Sequence, residues 1–434
     1  MPQVGAQSPE HEAAKRRHAA HAYHQVPALL VAAALLRIGA AGGSVAVQFD
    51  LSDLAGGNPS GIAVGLVGAA QASSELVFAF LLARLADKIG RTRFLIGGPL
   101  VGCLGMLLVA AATVPGQIAA ARIVEGIGAA AFVPTALGTI AAATSEDTGA
   151  RARASGAFEG STIVGYIGGF LVGGFAYHGI GRGAFVILAC FYLAAAIVCA
   201  RWVPRVSPLP VSPLSAVFRA IVGPGPVRVF IPAWLAVNSM VGAWLFNLPA
   251  LLKRNADPNQ TLVHHFDERL VSAMLGTWGF LLLLGIVLWT PYLHHHGPAA
   301  TMRRAIPSTM VLISFLALMN HLPLLASAFL LPFAMAAALG QAGFGPAAVA
   351  YLADCSERLA ADRSTLMAFY TVTLAGGGAV GALIGGAFSS WLRLDGILLM
   401  GFLLCSIALL SLSRVVEYER RTRVAPPAPG AAAL

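Results

Sequence analysis

Apolar positions along this chain come in long unbroken runs, not in the alternating pattern of a half-buried strand or the narrow stripe of a soluble amphipathic helix, and glycine, proline or charge closes each run. A helix needs about 20 apolar residues to cross a bilayer. Runs of that kind predict spans at 26–49, 61–82, 94–113, 117–143, 154–176 and 183–203, then at 227–252, 271–293, 305–320, 324–352, 365–391 and 396–415. Between the sixth and seventh, Pro204, Pro208, Pro210, Pro213, Pro224 and Pro226 surround a short apolar piece, which is the composition of a linker. The expectation is an all-α polytopic membrane protein with twelve transmembrane helices in two pseudo-symmetric six-helix bundles. A tail over 1–25 precedes the first bundle at 26–203; a linker over 204–226 leads to the second bundle at 227–415 and a tail over 416–434.

Composition closes off the soluble alternatives. Of 434 residues, 57% are hydrophobic and only 11% charged, too few polar side chains to wrap a soluble globule of this size. The five cysteines lie in or beside apolar runs without paired spacing and read as core residues. A formal charge of +9 raises nucleic acid as a partner. The basic residues, however, are scattered through short loops, as topology signals are, and no nucleic-acid partner is expected. Among the 28 Lys and Arg, only Arg182, Lys253, Arg254, Arg269 and Arg393 fall in the predicted outer loops, and Arg37, Arg122 and Arg228 lie in spans or at a span end. That bias places both termini in the cytosol and the chain in the cytoplasmic (inner) membrane. The polar first 25 residues, with Lys15, Arg16 and Arg17, do not resemble a cleavable signal.

Charge inside a span is costly and marks function. Arg37 sits mid-way along the first span, Glu75 in the second, Arg122 and Glu125 in the fourth and Glu159 near the start of the fifth. Arg37 and Glu125 have similar depth, which predicts a direct contact between them. The second half carries no deep charge; its candidate cavity residues are Asn238, Trp244 and Asn247 in the seventh span and Gln341, Phe344 and Tyr351 in the tenth. His264, His265, Asp267 and Glu268 lack helical ligand spacing, so no metal site is expected. No Gly-rich phosphate loop with Lys-Ser/Thr is present, so nothing supports ATP-driven work or an enzymatic role.

Three local motifs add a family resemblance. Ala83 to Arg93 reads Ala-Arg-Leu-Ala-Asp-Lys-Ile-Gly-Arg-Thr-Arg, which resembles the signature loop between the second and third helices of the major facilitator superfamily, with Leu85, Ala86, Asp87, Gly90 and Arg91 in place. Its counterpart at 294–304 keeps only His294, His295, His296, Arg303 and Arg304 as charged or titratable residues. Arg122-Ile-Val-Glu125-Gly126-Ile-Gly128 resembles the family's Arg-x-x-x-Gly-x-Gly motif. In the fifth span Gly156, Gly165, Gly169, Gly173 and Gly174 are in register with the glycines of the drug:proton antiporter branch, although Phe170 stands where that motif has proline.

The resemblance implies a monomeric secondary transporter that moves a small molecule by alternating access. The loop of Asp87, Gly90, Arg91 and Arg93 would act as a cytosolic gate, and the proton gradient would replace any cofactor. Glu125 is the first candidate for proton coupling, then Glu159 and Glu75, with Arg122 and Arg37 tuning them. Proton-coupled efflux by antiport is the first expectation. The alternatives are uptake of a nutrient or organic anion by symport, or a sensor that keeps the fold without transport.

Overall fold

The computed structural model describes residues 25–144, 148–204, 226–358 and 363–424. Those residues are all-helical apart from one isolated bridge between Asp257 and Gln260. The helices are α1 (Val26–Leu54), α2 (Gly61–Ile89), α3 (Arg91–Ala111), α4 (Pro115–Ala143), α5 (Thr148–Ile180), α6 (Ala184–Trp202), α7 (Pro226–Leu252), α8 (Glu268–His296), α9 (Pro298–His321), α10 (Leu324–Gln341), α11 (Phe344–Arg358) and α12 (Arg363–Val424). The expected tail over 1–25, linker over 204–226 and tail over 416–434 lie largely outside the described residues.

Helix ends follow the breakers. Gly90, at φ +106°, is at once the C-cap of α2 and the N-cap of α3, a reversal that an L side chain resists. Pro115 and Pro298 open α4 and α9, where a missing N–H costs nothing. Asp267 caps α8 by accepting from the Arg269 N–H. Interior prolines such as Pro99, Pro134 and Pro307 are carried within helices, as packed membrane helices permit.

Ten stretches among the described residues are long and apolar enough to cross a membrane. Two are double length: Gly156–Trp202 has 47 residues and contains the 3-10 turn Gly181–Gly183, and Val372–Glu417 has 46 and contains Arg393 at φ +54°. The tenth predicted span is one candidate crossing, Leu324–Leu352, with a two-residue turn inside it. Ala342 and Gly343 interrupt it between α10 and α11, and the Trp289 indole N–H donates to the Leu339 carbonyl beside the break. Large apolar side chains such as Leu325, Phe329 and Trp391 are more than 70% exposed, the surface expected against lipid.

One buried cluster draws chiefly on α1–α6 and a second on α7–α12, while Ala69, Ala72, Phe246, Ala379 and Ala382 form a third between α2, α7 and α12. Lipid tails are as apolar as leucine, so close backbone approach is what binds such helices. A Cβ at Gly169 would meet the Ile38 carbonyl at 2.8 Å, and one at Gly173 the Gly42 carbonyl at 2.5 Å. Gly165, Gly169 and Gly173 therefore seat α5 directly on α1, whereas Gly174 faces Ser272 of α8 and Gly156 meets nothing within 4 Å.

Candidate functional site

Call the side on which α1 begins the near side and the other the far side. At mid-depth in the first half, four helices converge on Arg122 and Glu125 of α4, which are 1% and 0% exposed. Arg122 bonds Glu125 Oε2 and Gln71 Oε1 of α2, and it donates to Ser44 Oγ of α1 at 2.7 Å. Tyr192 of α6 donates its hydroxyl to Glu125 Oε1 at 2.6 Å. Small residues make room: Gly105 of α3 abuts the Glu125 backbone, and Gly102 abuts the Tyr192 ring. A buried arginine and carboxylate survive together only when paired and hydrogen-bonded, and here both conditions are met.

The expected Arg37–Glu125 contact is not formed. Equal depth did not mean equal facing: Arg37 turns toward α5, its guanidinium 5.6 Å from the centroid of the Tyr166 ring. Glu75 of α2 is half-buried and within electrostatic reach of both Arg37 and Glu125. Glu159 is half-buried near the start of α5 and within electrostatic reach of Arg37. The structure therefore gathers Arg37, Glu75, Arg122, Glu125 and Glu159 on one side of the molecule, with two of the five locked in a mutual pair. Sequence reasoning missed Ser44, Gln71 and Tyr192, since neutral polar residues give no signal until a fold points them at a charge.

In the signature loop, Arg91 Nε donates to Asp87 at 2.7 Å and Arg91 Nη1 to the Gly138 carbonyl of α4 at 2.7 Å. This chain of bonds stays inside the first half and fastens α2, α3 and α4; Arg93 is exposed. The counterpart between α8 and α9 is an aromatic stack, with Tyr292 and His296 rings 4.0 Å apart and Arg304 over Tyr292 at 5.1 Å. Of the second-half candidates, Trp244 packs with Trp278 and reaches toward Gly401, and Tyr351 packs against Phe230 at 5.0 Å. Asn247 donates to Ala243 and Ala382 carbonyls, Asn238 donates to the Trp234 carbonyl and packs on Gly377, and Phe344 is buried. Gln341 is 7% exposed and its Oε1 has no partner among the described residues.

On the far side the halves are sealed together. Gln48 of α1 donates to the Leu245 carbonyl of α7 at 2.8 Å, and Ser390 accepts from the Ile62 N–H of α2 at 2.9 Å. Lys253, 5% exposed, bridges Asp53 of α1 at 2.7 Å and Glu268 of α8 at 2.6 Å. His178 of α5 reaches Glu268 at 2.9 Å and Asp267 at 3.3 Å. A cavity of about 430 Å³ lined by Asp50, Asp53, Tyr177, His178, Arg182 and Glu268 opens beside this seal. His178, Asp267 and Glu268 hold ligand-type atoms within 4.8 Å of one another, yet Lys253 and Arg269 already supply their counter-charge. Burial and the neighbouring Arg393 charge lower the pKa of Arg254 at this end. Burial nudges the Asp267 carboxyl upward, but hydrogen bonds from the Arg269 backbone and side chain outweigh it and hold the group below the usual carboxylate range.

The family model described as Major Facilitator Superfamily matches residues 29–331, more than half of the chain. The chain belongs to the Major Facilitator Superfamily. It is a membrane transporter of that type and not an enzyme. Solved structures share the fold across most of the chain. A mutant of the nucleoside transporter NupG superposes with a TM-score of 0.71 at 13% identity, covering 90% of this chain and 99% of that one. The POT family transporter PepTSo gives 0.69 at 14% identity, covering 93% and 99%. A bacterial homologue of the human lysosomal transporter Spinster, solved inward-facing and unoccupied, gives 0.60 at 18% identity, covering 91% and 93%. Identities this low carry the fold alone. None of the curated proteins compared with the chain matches it.

Proposed function

We propose that the chain is a proton-coupled secondary transporter of a small solute. It would span the cytoplasmic membrane twelve times as a monomer, with both termini in the cytosol. The two double-length stretches each supply two crossings, since 47 and 46 residues are about twice what one crossing needs. The two larger buried clusters correspond to bundles over 26–203 and 227–415 that rock about a midplane site. The far-side seal then makes this an inward-facing state, with the near side as cytosol.

The observation that carries the coupling is the buried Arg122–Glu125 pair with Glu75 beside it. A carboxylate whose proton occupancy changes with the open side couples proton flow to solute movement. Glu125 is the coupling group, and half-buried Glu75 and Glu159 are the groups through which a proton reaches it. Efflux by antiport, as in the drug:proton branch, is supported by the glycine register of α5. Proton-coupled uptake of an organic anion is the second reading, and the Arg37 guanidinium, held without a carboxylate in contact, favours it. Asp87, Gly90, Arg91 and Arg93 would latch the near side in the opposite state.

The test is gradient-driven flux in proteoliposomes across a panel of solutes, wild type against Glu125→Gln. Loss of gradient-driven accumulation with exchange retained is expected. Intact gradient-driven flux in the variant would remove Glu125 from the coupling role, and the sign of the accompanying proton movement separates antiport from symport.

A further inference from the structure

Arg37 is 7% exposed, and among the described residues its guanidinium has neither a hydrogen bond nor an ion pair; what it touches is one face of the Tyr166 ring. Guanidinium carries five N–H donors, and stripping water from a cation without replacing it is costly. Its edge is therefore left for an acceptor that the chain does not supply. The placement is built in: a Cβ at Gly165 would meet the Arg37 Cβ at 2.6 Å and the Ala34 carbonyl at 2.8 Å, so α5 needs a glycine there to let α1 approach. One helical turn before Tyr166, Thr162 Oγ1 is buried with no partner among the described residues. Glu75 of α2 is within electrostatic reach of the same guanidinium, and no ion pair joins the two among the described residues. An arginine beside an aromatic face, with an orphaned hydroxyl one turn away along the same helix, is suited to an oxyanion on a planar body.

We propose that Arg37, Tyr166 and Thr162 form the solute site for a small organic anion bearing a carboxylate or phosphate, with Glu75 as a counter-charge that yields when it takes up a proton. This rests on the second reading above, proton-coupled transport of an organic anion in one direction with the proton, at a midplane solute site. With Glu75 ionised, its charge offsets Arg37 and repels the anion. Protonated, it leaves Arg37 open. The other titratable groups facing this point are Glu159 and Tyr166 from α5 and Tyr192 from α6, while Glu125 of α4 is held by Arg122. Proton and anion then bind together and travel in one direction.

Thermal unfolding of the purified full chain, titrated with benzoate, phenyl phosphate and benzylammonium at mildly acid and mildly alkaline pH, reads equilibrium binding without transport. At least one anion should raise the midpoint, and more at acid pH. Arg37→Gln should weaken its apparent affinity by roughly tenfold or more, with Arg37→Lys in between. Glu75→Gln should bind equally at both pH values and as tightly as wild type at acid pH. Should Arg37→Gln not fold, Glu75→Gln and Thr162→Val carry the test, and a Glu75→Gln variant that stays pH-dependent overturns the idea. Stabilisation by benzylammonium alone, or by no probe, also overturns it. Such failures leave proton coupling through Glu125 standing, because that rests on flux.

Discussion

Lys253→Met should loosen the far-side seal by an amount the structure allows to be worked out. The ammonium is 6% exposed and bridges two carboxylates from different halves, Asp53 at 50% exposure and Glu268 at 17%. The Asp53 bridge is open to water and contributes little, about 0.5 kcal/mol. The Glu268 bridge is largely desolvated, but Lys253 and Glu268 both belong to the second half, so it does not hold the halves together. Methionine keeps the aliphatic contact with Phe49 and Tyr177, over whose rings the ammonium now lies at 5.6 and 5.2 Å, so cavity terms stay small. With the cation–π contacts to Phe49 and Tyr177 lost as well, this is about 1 kcal/mol of preference for the far-closed state, roughly a fivefold shift in the closed-to-open ratio. Spin labels at Asn58 and Asn259, exposed far-side positions on the two halves, would read it as a distance distribution in a cysteine-free background. A longer-distance population should grow in the variant. An unchanged distribution, with the variant folded, would refute the view that this ion bridge holds the halves together.

Three further outcomes follow from the same geometry. Gly173→Ala places a Cβ against the Gly42 backbone and should cost about 1–3 kcal/mol of thermal stability, whereas Gly156→Ala meets nothing within 4 Å and should be neutral; unfolding midpoints of the two variants check this. Asp87→Asn removes the carboxylate charge that pairs with Arg91, leaving only a neutral amide oxygen as acceptor, and should slow turnover while the midpoint shift on solute binding survives, as parallel flux and unfolding assays would report. Because Asp267 titrates below its ordinary value, its contribution to stability is complete above the usual carboxylate pKa, about 3.9. That contribution is lost as pH falls through the lower folded-state value, so a pH series of unfolding midpoints should fall more steeply for wild type than for Asp267→Ala, which gives up about 1 kcal/mol at neutral pH.

The all-helical membrane fold was legible because length and hydropathy suffice to mark helices that can cross lipid, of which the described residues hold ten candidates. The signature loop was legible because Gly90 and its flanking charges are local. What stayed hidden depends on helix rotation. Depth put Arg37 and Glu125 level, but α1 presents Arg37 to α5, and α4 presents Glu125 to α2, α3 and α6. Ser44, Gln71 and Tyr192 look like ordinary packing residues until three of their atoms converge on one guanidinium and one carboxylate. The break at Ala342–Gly343 was obscured because the apolar run continues through it. A Gly-rich step alone does not say whether a neighbour such as Trp289 will take up the freed carbonyl.

Helix α1 joins these parts physically. Arg37 faces the proposed solute site, Ser44 holds Arg122, Gln48 bonds across to α7, and Asp53 meets Lys253 at the far end. These positions climb one helix in steps of one to two turns, and almost the whole helix beyond Leu35 is buried. With glycine-mediated contact to α5 along its length, α1 has little freedom to bend independently of its bundle. An anion drawing Arg37 away from Tyr166 therefore acts on an element whose other end is part of the seal. That is the connection a two-state mechanism would need for the proposed solute site and the far-side seal to influence one another.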